Sequence, residues 1–135
     1  MNKKIIVVLV VILALAIGFK LTYKPSENIN IHSTYQNVSS QELSQMLNQK
    51  DFTLIDVHVP EQAHIPGTDA LIPYDEISSR QGQLPSDKNA KIVLYCRSGS
   101  MSQIAAEELV SLGYRQVYNL DGGLNSWLAS GFSAN

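Results

Sequence analysis

The chain has 135 residues, with 10 Lys and Arg against 12 Asp and Glu, a net charge of -2 and a pI near 5.8. That length supports one ordinary core and no second core of comparable size. The nearly balanced charge offers no basic stripe to neutralise phosphates, which argues against nucleic acid as a partner.

Composition changes sharply along the chain. Lys3 and Lys4 precede the uncharged run IIVVLVVILALAIGF, Ile5 to Phe19, after which Lys20 opens a polar stretch. No face of the run is polar, so a buried core helix accounts for it poorly. A bilayer core needs about 20 apolar residues, and Leu21 to Tyr23 extend the run if Lys20 snorkels. Residues 1–23 therefore read as a single-pass anchor, with a cleaved signal ending near Ala14-Leu15-Ala16 as the alternative. Lysines ahead of the apolar run favour an inside N-terminus, so both readings export the domain. The expected location is the outer face of the cytoplasmic membrane, or the periplasm or medium after cleavage. Residues 24–34, with Pro25 and several Asn and Ser, read as a tether, and 35–133 as the folded unit.

VSSQELSQML predicts a helix: Ser39 is the N-cap, Glu42 completes a capping box, and Val38 and Leu43 take the staple positions. Leu43, Met46 and Leu47 share its inward face. FTLIDV, ending near Asp56, and KIVLYC, ending at Cys96, are short and almost wholly apolar, as strands covered on both faces should be. Between them Pro66, Pro73 and Pro85 break the pattern, leaving DALI as a strand and YDEISSR as a short helix. After Cys96, Ser100 and Gln103 suggest a second capping box before Ala105, Leu109 and Leu112, and Gly113 ends that helix. QVYNL follows as a strand, so Lys91 to Leu120 has the order and length of a βαβ unit. GGLNSWLASG predicts a last short helix with Leu124, Trp127 and Leu128 inward and Gly131 as its stop.

Cys96 is the single cysteine, which excludes an internal disulfide. It falls at the carboxyl end of a strand, where open α/β sheets bind ligands. In the loop Arg97, Ser98, Gly99, Ser100, Met101 and Ser102, small residues let successive N–H groups converge, and the next helix adds its positive end. Such surroundings lower a thiol pKa and make a nucleophile. A free cysteine is also commonly a small apolar core filler, and position alone leaves both readings open.

Three segments, LIDVHVPEQAHIPGTDALIP, VLYCRSGSMSQIAAEEL and VYNLDGGLNSWLASGF, together resemble the single-domain rhodaneses, or thiosulfate sulfurtransferases, in order, spacing and content. The resemblance spans Tyr35 to Phe132. It implies a rhodanese-like α/β fold, with a central, mainly parallel five-stranded sheet and helices on both faces. It also implies that Cys96 carries sulfur as a persulfide. The donor would be a small sulfur anion such as thiosulfate or another persulfide. The acceptor would be cyanide in an assay and a thiol in the cell, with no metal or organic cofactor. A module that accepts sulfur from a partner protein without turning over by itself is the alternative function.

The chain departs from the family pattern at two side chains. Met101 stands where many members carry an arginine that helps bind the anionic donor, and His58 also replaces a common arginine. Both departures point to weak thiosulfate use, or to a neutral or protein-bound persulfide as donor. Asp56 and His58 should share the rim beside the loop, with His58 in a capping or surface role. His58 and His64 lack a third ligand at suitable spacing, which argues against a metal. The phosphatase relatives of the fold need an arginine where this chain has Ser102, so phosphoryl transfer is rejected.

Overall fold

The computed structural model of the protein describes residues 34–135. The anchor or signal expected over 1–23, and the tether up to residue 33, lie outside the described residues. Among the described residues no helix is long and apolar enough to cross a membrane.

In chain order the elements are β1 (Gln36–Val38), α1 (Ser40–Asn48), β2 (Thr53–Asp56) and β3 (Ala70–Leu71). A 3-10 turn (Gln81–Gln83), β4 (Lys91–Tyr95), α2 (Ser100–Ser111), β5 (Gln116–Leu120) and α3 (Gly123–Ala129) follow. The strands form one five-stranded sheet in the order β1-β5-β4-β2-β3, and every pairing is parallel. Because no strand is joined to its neighbour by a hairpin, both faces must be covered, and the strands alternate accordingly. In β4, Ile92 and Leu94 join Ala105, Ala106 and Leu109 of α2 on one face. Val93 and Tyr95 join Leu43 of α1 and Leu124 and Trp127 of α3 on the other. Each fully buried Leu or Ile here contributes roughly 1.5–3 kcal/mol relative to exposure.

α1 starts as its sequence predicts. Ser39 Oγ accepts from the Glu42 N–H at 3.2 Å, and a Glu42 carboxylate oxygen accepts from the Ser39 N–H at 2.8 Å. The Ser39 N–H and then the Ser39 hydroxyl, which donates to the same carboxylate oxygen at 2.8 Å, hold the Glu42 carboxyl below its ordinary pKa.

Elsewhere the structure corrects four expectations. α2 is not capped by Ser100. Gly99, in the left-handed region at φ 102°, precedes it, and no side chain caps the helix. YDEISSR is a series of turns rather than a helix: Ser79 Oγ donates to the Glu76 carbonyl and Ser78 Oγ bonds Glu108, drawing local groups out of a helical ladder. DALI is reduced to the two-residue edge strand β3. Leu128 is 47% exposed, because the seven-residue α3 presents only Leu124 and Trp127 to the core.

β2 continues outward to β3 on one side, while β4 continues through α2 to β5 on the other. The chain therefore leaves β2 and β4 in opposite directions, which opens a crevice beyond their carboxyl ends. Asp56 pairs with Tyr95 across it, and the Val57 N–H donates to the Tyr95 carbonyl at 2.9 Å. That register brings His58 level with Arg97, one residue past Cys96.

Candidate functional site

Cys96 is 1% exposed and packs within the core cluster beneath α2, so burial alone would suit an apolar filler. Its sulfur is nevertheless in a polar cradle. Sγ accepts the Gly99 N–H at 3.1 Å and lies 3.5 Å from Ser102 Oγ. Burial pushes the thiol up. The Ser102 hydroxyl and the N–H groups of Ser102, Ser98 and Gly99 outweigh it and hold the thiol below its ordinary pKa. Ser102 is fully buried, and its one hydroxyl proton has a second acceptor, the Gly99 carbonyl at 3.0 Å. Arg97, Ser98 and Ser100 face solvent, whereas Met101 is half-buried against the apolar cluster that includes Cys96.

The loop is held from behind by α3. The Leu124 and Asn125 N–H groups donate to the Cys96 and Arg97 carbonyls at 2.8 and 2.9 Å, so the open end of α3 is satisfied by the cradle's own backbone. This approach depends on Gly123, at φ 57°. The sequence assigns Gly122 and Gly123 only to the start of a short helix, which does not reveal their part in fixing the Cys96 loop. The Gly-Gly pair was the available signal.

Across the crevice, Asp56 is 3% exposed and fully occupied. It accepts from the His58 N–H at 2.9 Å and from His64 Nδ1 at 3.0 Å, and Gln62 Nε2 lies at 3.3 Å. Asp56 thus ties down the segment from His58 to His64. Burial pushes His64 down, but hydrogen bonds to Asp56 and to Glu61, at 3.3 Å, overcome it and raise its pKa. Tyr95 lies deeper. Its hydroxyl accepts from the Ile65 N–H at 3.0 Å and meets Thr68 Oγ1 at 2.8 Å, and burial pushes its pKa up to about 12. Nothing in the spacing of these residues foretold the Asp56–His64 pair.

His58, for which a capping or surface role is expected, is half-buried. Both ring nitrogens are buried and neither has a hydrogen-bond partner. Burial and then the positive charge of Arg97 lower its pKa, against a smaller opposing pull from Asp56. Among the described residues no group of three acidic, His or Cys side chains is placed to hold a metal.

Residues 39–130 match the family described as the rhodanese-like domain. The chain belongs to that family. A sulfurtransferase of Allochromatium vinosum is 38% identical over 99 residues, covering 70% of this chain and 89% of the relative. A Bacillus subtilis protein named as a sulfur carrier, YrkF, is 30% identical over 99 residues, covering 73% of this chain and 49% of its own length. Among solved structures, a rhodanese-related protein of Thermoplasma volcanium superposes with a TM-score of 0.65 at 25% identity, covering 75% of this chain and 98% of the other. Within this rhodanese-like domain the loop carrying the only cysteine is also the loop that closes on the sulfur.

Proposed function

We propose that this rhodanese-like protein is a sulfurtransferase working through a Cys96 persulfide. The observation that carries the reading is the 3.1 Å bond from the Gly99 N–H to Cys96 Sγ, in a loop whose other donors also favour the thiolate. The thiolate attacks the sulfane sulfur of a donor such as thiosulfate, the S–S bond of the donor breaks, and sulfite leaves with the electron pair. The same N–H groups then stabilise the terminal sulfur of the persulfide. An acceptor thiolate or cyanide attacks that sulfur and restores the Cys96 thiolate. Charge and atoms balance without a further redox partner, and the fit of sulfur into an N–H cradle is the protein's contribution.

Incubating the full chain with thiosulfate and with an organic persulfide, followed by mass analysis of the peptide bearing Cys96, tests this. A gain of one sulfur on Cys96, abolished in Cys96→Ser, is expected. No gain from either donor overturns the reading.

Met101 favours a second reading, a carrier loaded by a partner protein, because its thioether puts no cation at the cradle. The proposal also includes tethering through residues 1–23 outside the cytoplasmic membrane, supported by the apolar run behind Lys3 and Lys4. Protease digestion of intact and lysed cells tests it. Protection of the domain until lysis overturns it.

A further inference from the structure

β3 is the outermost strand of the sheet. It pairs with β2 on one side, and among the described residues no strand pairs with its other side. Two clefts lie along this open edge. One, of about 340 Å³, runs past Gly67 and Ala70 at the start of β3, and the second, of about 210 Å³, lies past its end against Val59 and Pro73. His64 and Leu71 line both, so the clefts adjoin and follow the edge from end to end. Leu71, 43% exposed, stands where they meet. At about 3.3 Å per extended residue, a segment of about six residues reaches along both.

The cleft past the end of β3 is electrically negative. Glu61 at its rim is 76% exposed and commits one oxygen to His64 at 3.3 Å. Asp56 adds a buried carboxylate, while Arg80 on the same wall is tied to Glu76 at 2.5 Å. A protonated His64 offsets only one of the two carboxylates. His58 adds no charge at neutral pH, because burial and then Arg97 hold its pKa down. The volume is below the roughly 300–1,000 Å³ of sites that enclose a drug-sized ligand, so the cleft suits a single side chain. Its apolar walls and acidic rim match a Lys or Arg, whose stem is apolar and whose head is cationic.

We propose that the β3 edge docks an extended segment of a partner protein, laid alongside Ala70 and Leu71 with a lysine or arginine side chain in the cleft beside Glu61. Main-chain hydrogen bonds to a strand edge give such a segment its register, and alternate side chains enter the clefts. The stem packs on Val59, Leu71 and Pro73, and the head meets the second oxygen of Glu61. β3 has only two residues, so main-chain bonds are few and the side chain in the cleft selects the partner. Neither cleft is lined by Cys96 or its loop, and the inference stands apart from the sulfur-transfer reading.

Titrating the isotope-labelled full chain, in a neutral detergent, with the blocked peptide Thr-Val-Lys-Val-Thr tests this by amide NMR. Saturable shifts confined to segments 58–61 and 67–73 are expected. Replacing the peptide's lysine by glutamate should weaken binding by about tenfold, through lost attraction and added repulsion. Replacing both valines by proline, which cannot donate to a strand edge, should also weaken it. In the protein, Glu61→Gln should weaken binding several-fold. Leu71→Lys should weaken it by about tenfold, because a lysine on an edge strand repels the cation and blocks pairing. Binding indifferent to the peptide's charge, shifts spread over the whole surface, or n-butylamine binding as tightly as the peptide overturns the docking site. So does a dimer of the full chain that Leu71→Lys dissociates, since the edge would then belong to a second copy. Each of these outcomes leaves Cys96 transfer standing.

Discussion

Gly123 and Cys96 are packed backbone to backbone: a Cβ placed on Gly123 would stand 2.3 Å from the Cys96 carbonyl oxygen and 2.9 Å from the Arg97 carbonyl. The obstacle is main chain, which cannot swing aside as a side chain would. Gly123 also has φ 57°, where a Cβ is unfavourable. Gly123→Ala should therefore push α3 off the loop and destabilise the domain by about 2–4 kcal/mol. Denaturant unfolding checks the stability, and the rate of Cys96 alkylation checks whether the cradle loosens. An unchanged midpoint and rate would show that α3 does not set the loop.

The Ser102 hydroxyl has one proton and two acceptors, the Gly99 carbonyl and the Cys96 sulfur. The carbonyl holds it when sulfur is a neutral thiol, and the thiolate draws it over. Ser102→Ala removes the first of the stabilising contacts, so the pH midpoint of Cys96 alkylation should move up toward the ordinary thiol value of about 8.5. Ser102→Thr should keep it low. Because the folded pKa is depressed, the thiolate's contribution to stability is present above the ordinary thiol pKa. That contribution is lost as pH falls through the folded value. Thermal scans of wild type and Cys96→Ala should diverge as pH rises across that window.

His64 works with the opposite sign. Its pKa is raised in the folded state by Asp56 and Glu61, so its stabilisation is complete below the unfolded value of about 6.5 and fades as pH rises through the folded value. His64→Gln should lose stability chiefly at acidic pH and little above neutrality. A destabilisation independent of pH would show that His64 acts only by packing.

The apolar runs of β2, β4 and β5 and the Ser39 to Glu42 capping pattern made those elements legible, since each is a local signal that the tertiary structure reinforces. β1 was not recognised as a strand because Gln36 and Asn37 are exposed and only Val38 is buried, so this edge strand has no apolar pattern of its own. The start of α2 misled for a physical reason: Ser102, not Ser100, turns its hydroxyl inward, since the helix emerges from a left-handed glycine beside the sulfur. Cys96 and its loop could be placed from position and small residues. His58, His64 and the α3 contact depend on long loops being folded back, which spacing does not encode.

Ser39→Ala should cost about 1 kcal/mol, the ordinary worth of an N-cap. The reciprocal bond from the Ser39 N–H to Glu42 survives the substitution, so the loss should not exceed that. Since α1 covers the face opposite Cys96, sulfur transfer at a temperature well below the transition should not change. Thermal unfolding and a transfer assay on the same sample separate the two effects.

Met101 is the side chain whose replacement most directly tests how the cradle meets a donor. It is half-buried and lies in the first turn of α2, where a cation opposes the helix dipole by about 0.3–1 kcal/mol. Met101→Arg should therefore lower stability modestly, through that term and lost packing. In return a second cation joins Arg97 near the sulfur, and KM for thiosulfate should fall several-fold. Because the gain is Coulombic and the rim is open to solvent, it should shrink as salt is raised and the Debye length falls from about 10 Å at 0.1 M to about 3 Å at 1 M. A persulfide without net charge should gain little. Steady-state kinetics with both donors at two salt concentrations distinguish this outcome. Equally high thiosulfate turnover in wild type and variant would instead show that Arg97 and the loop N–H groups suffice to hold a dianion, removing the reason for the carrier reading.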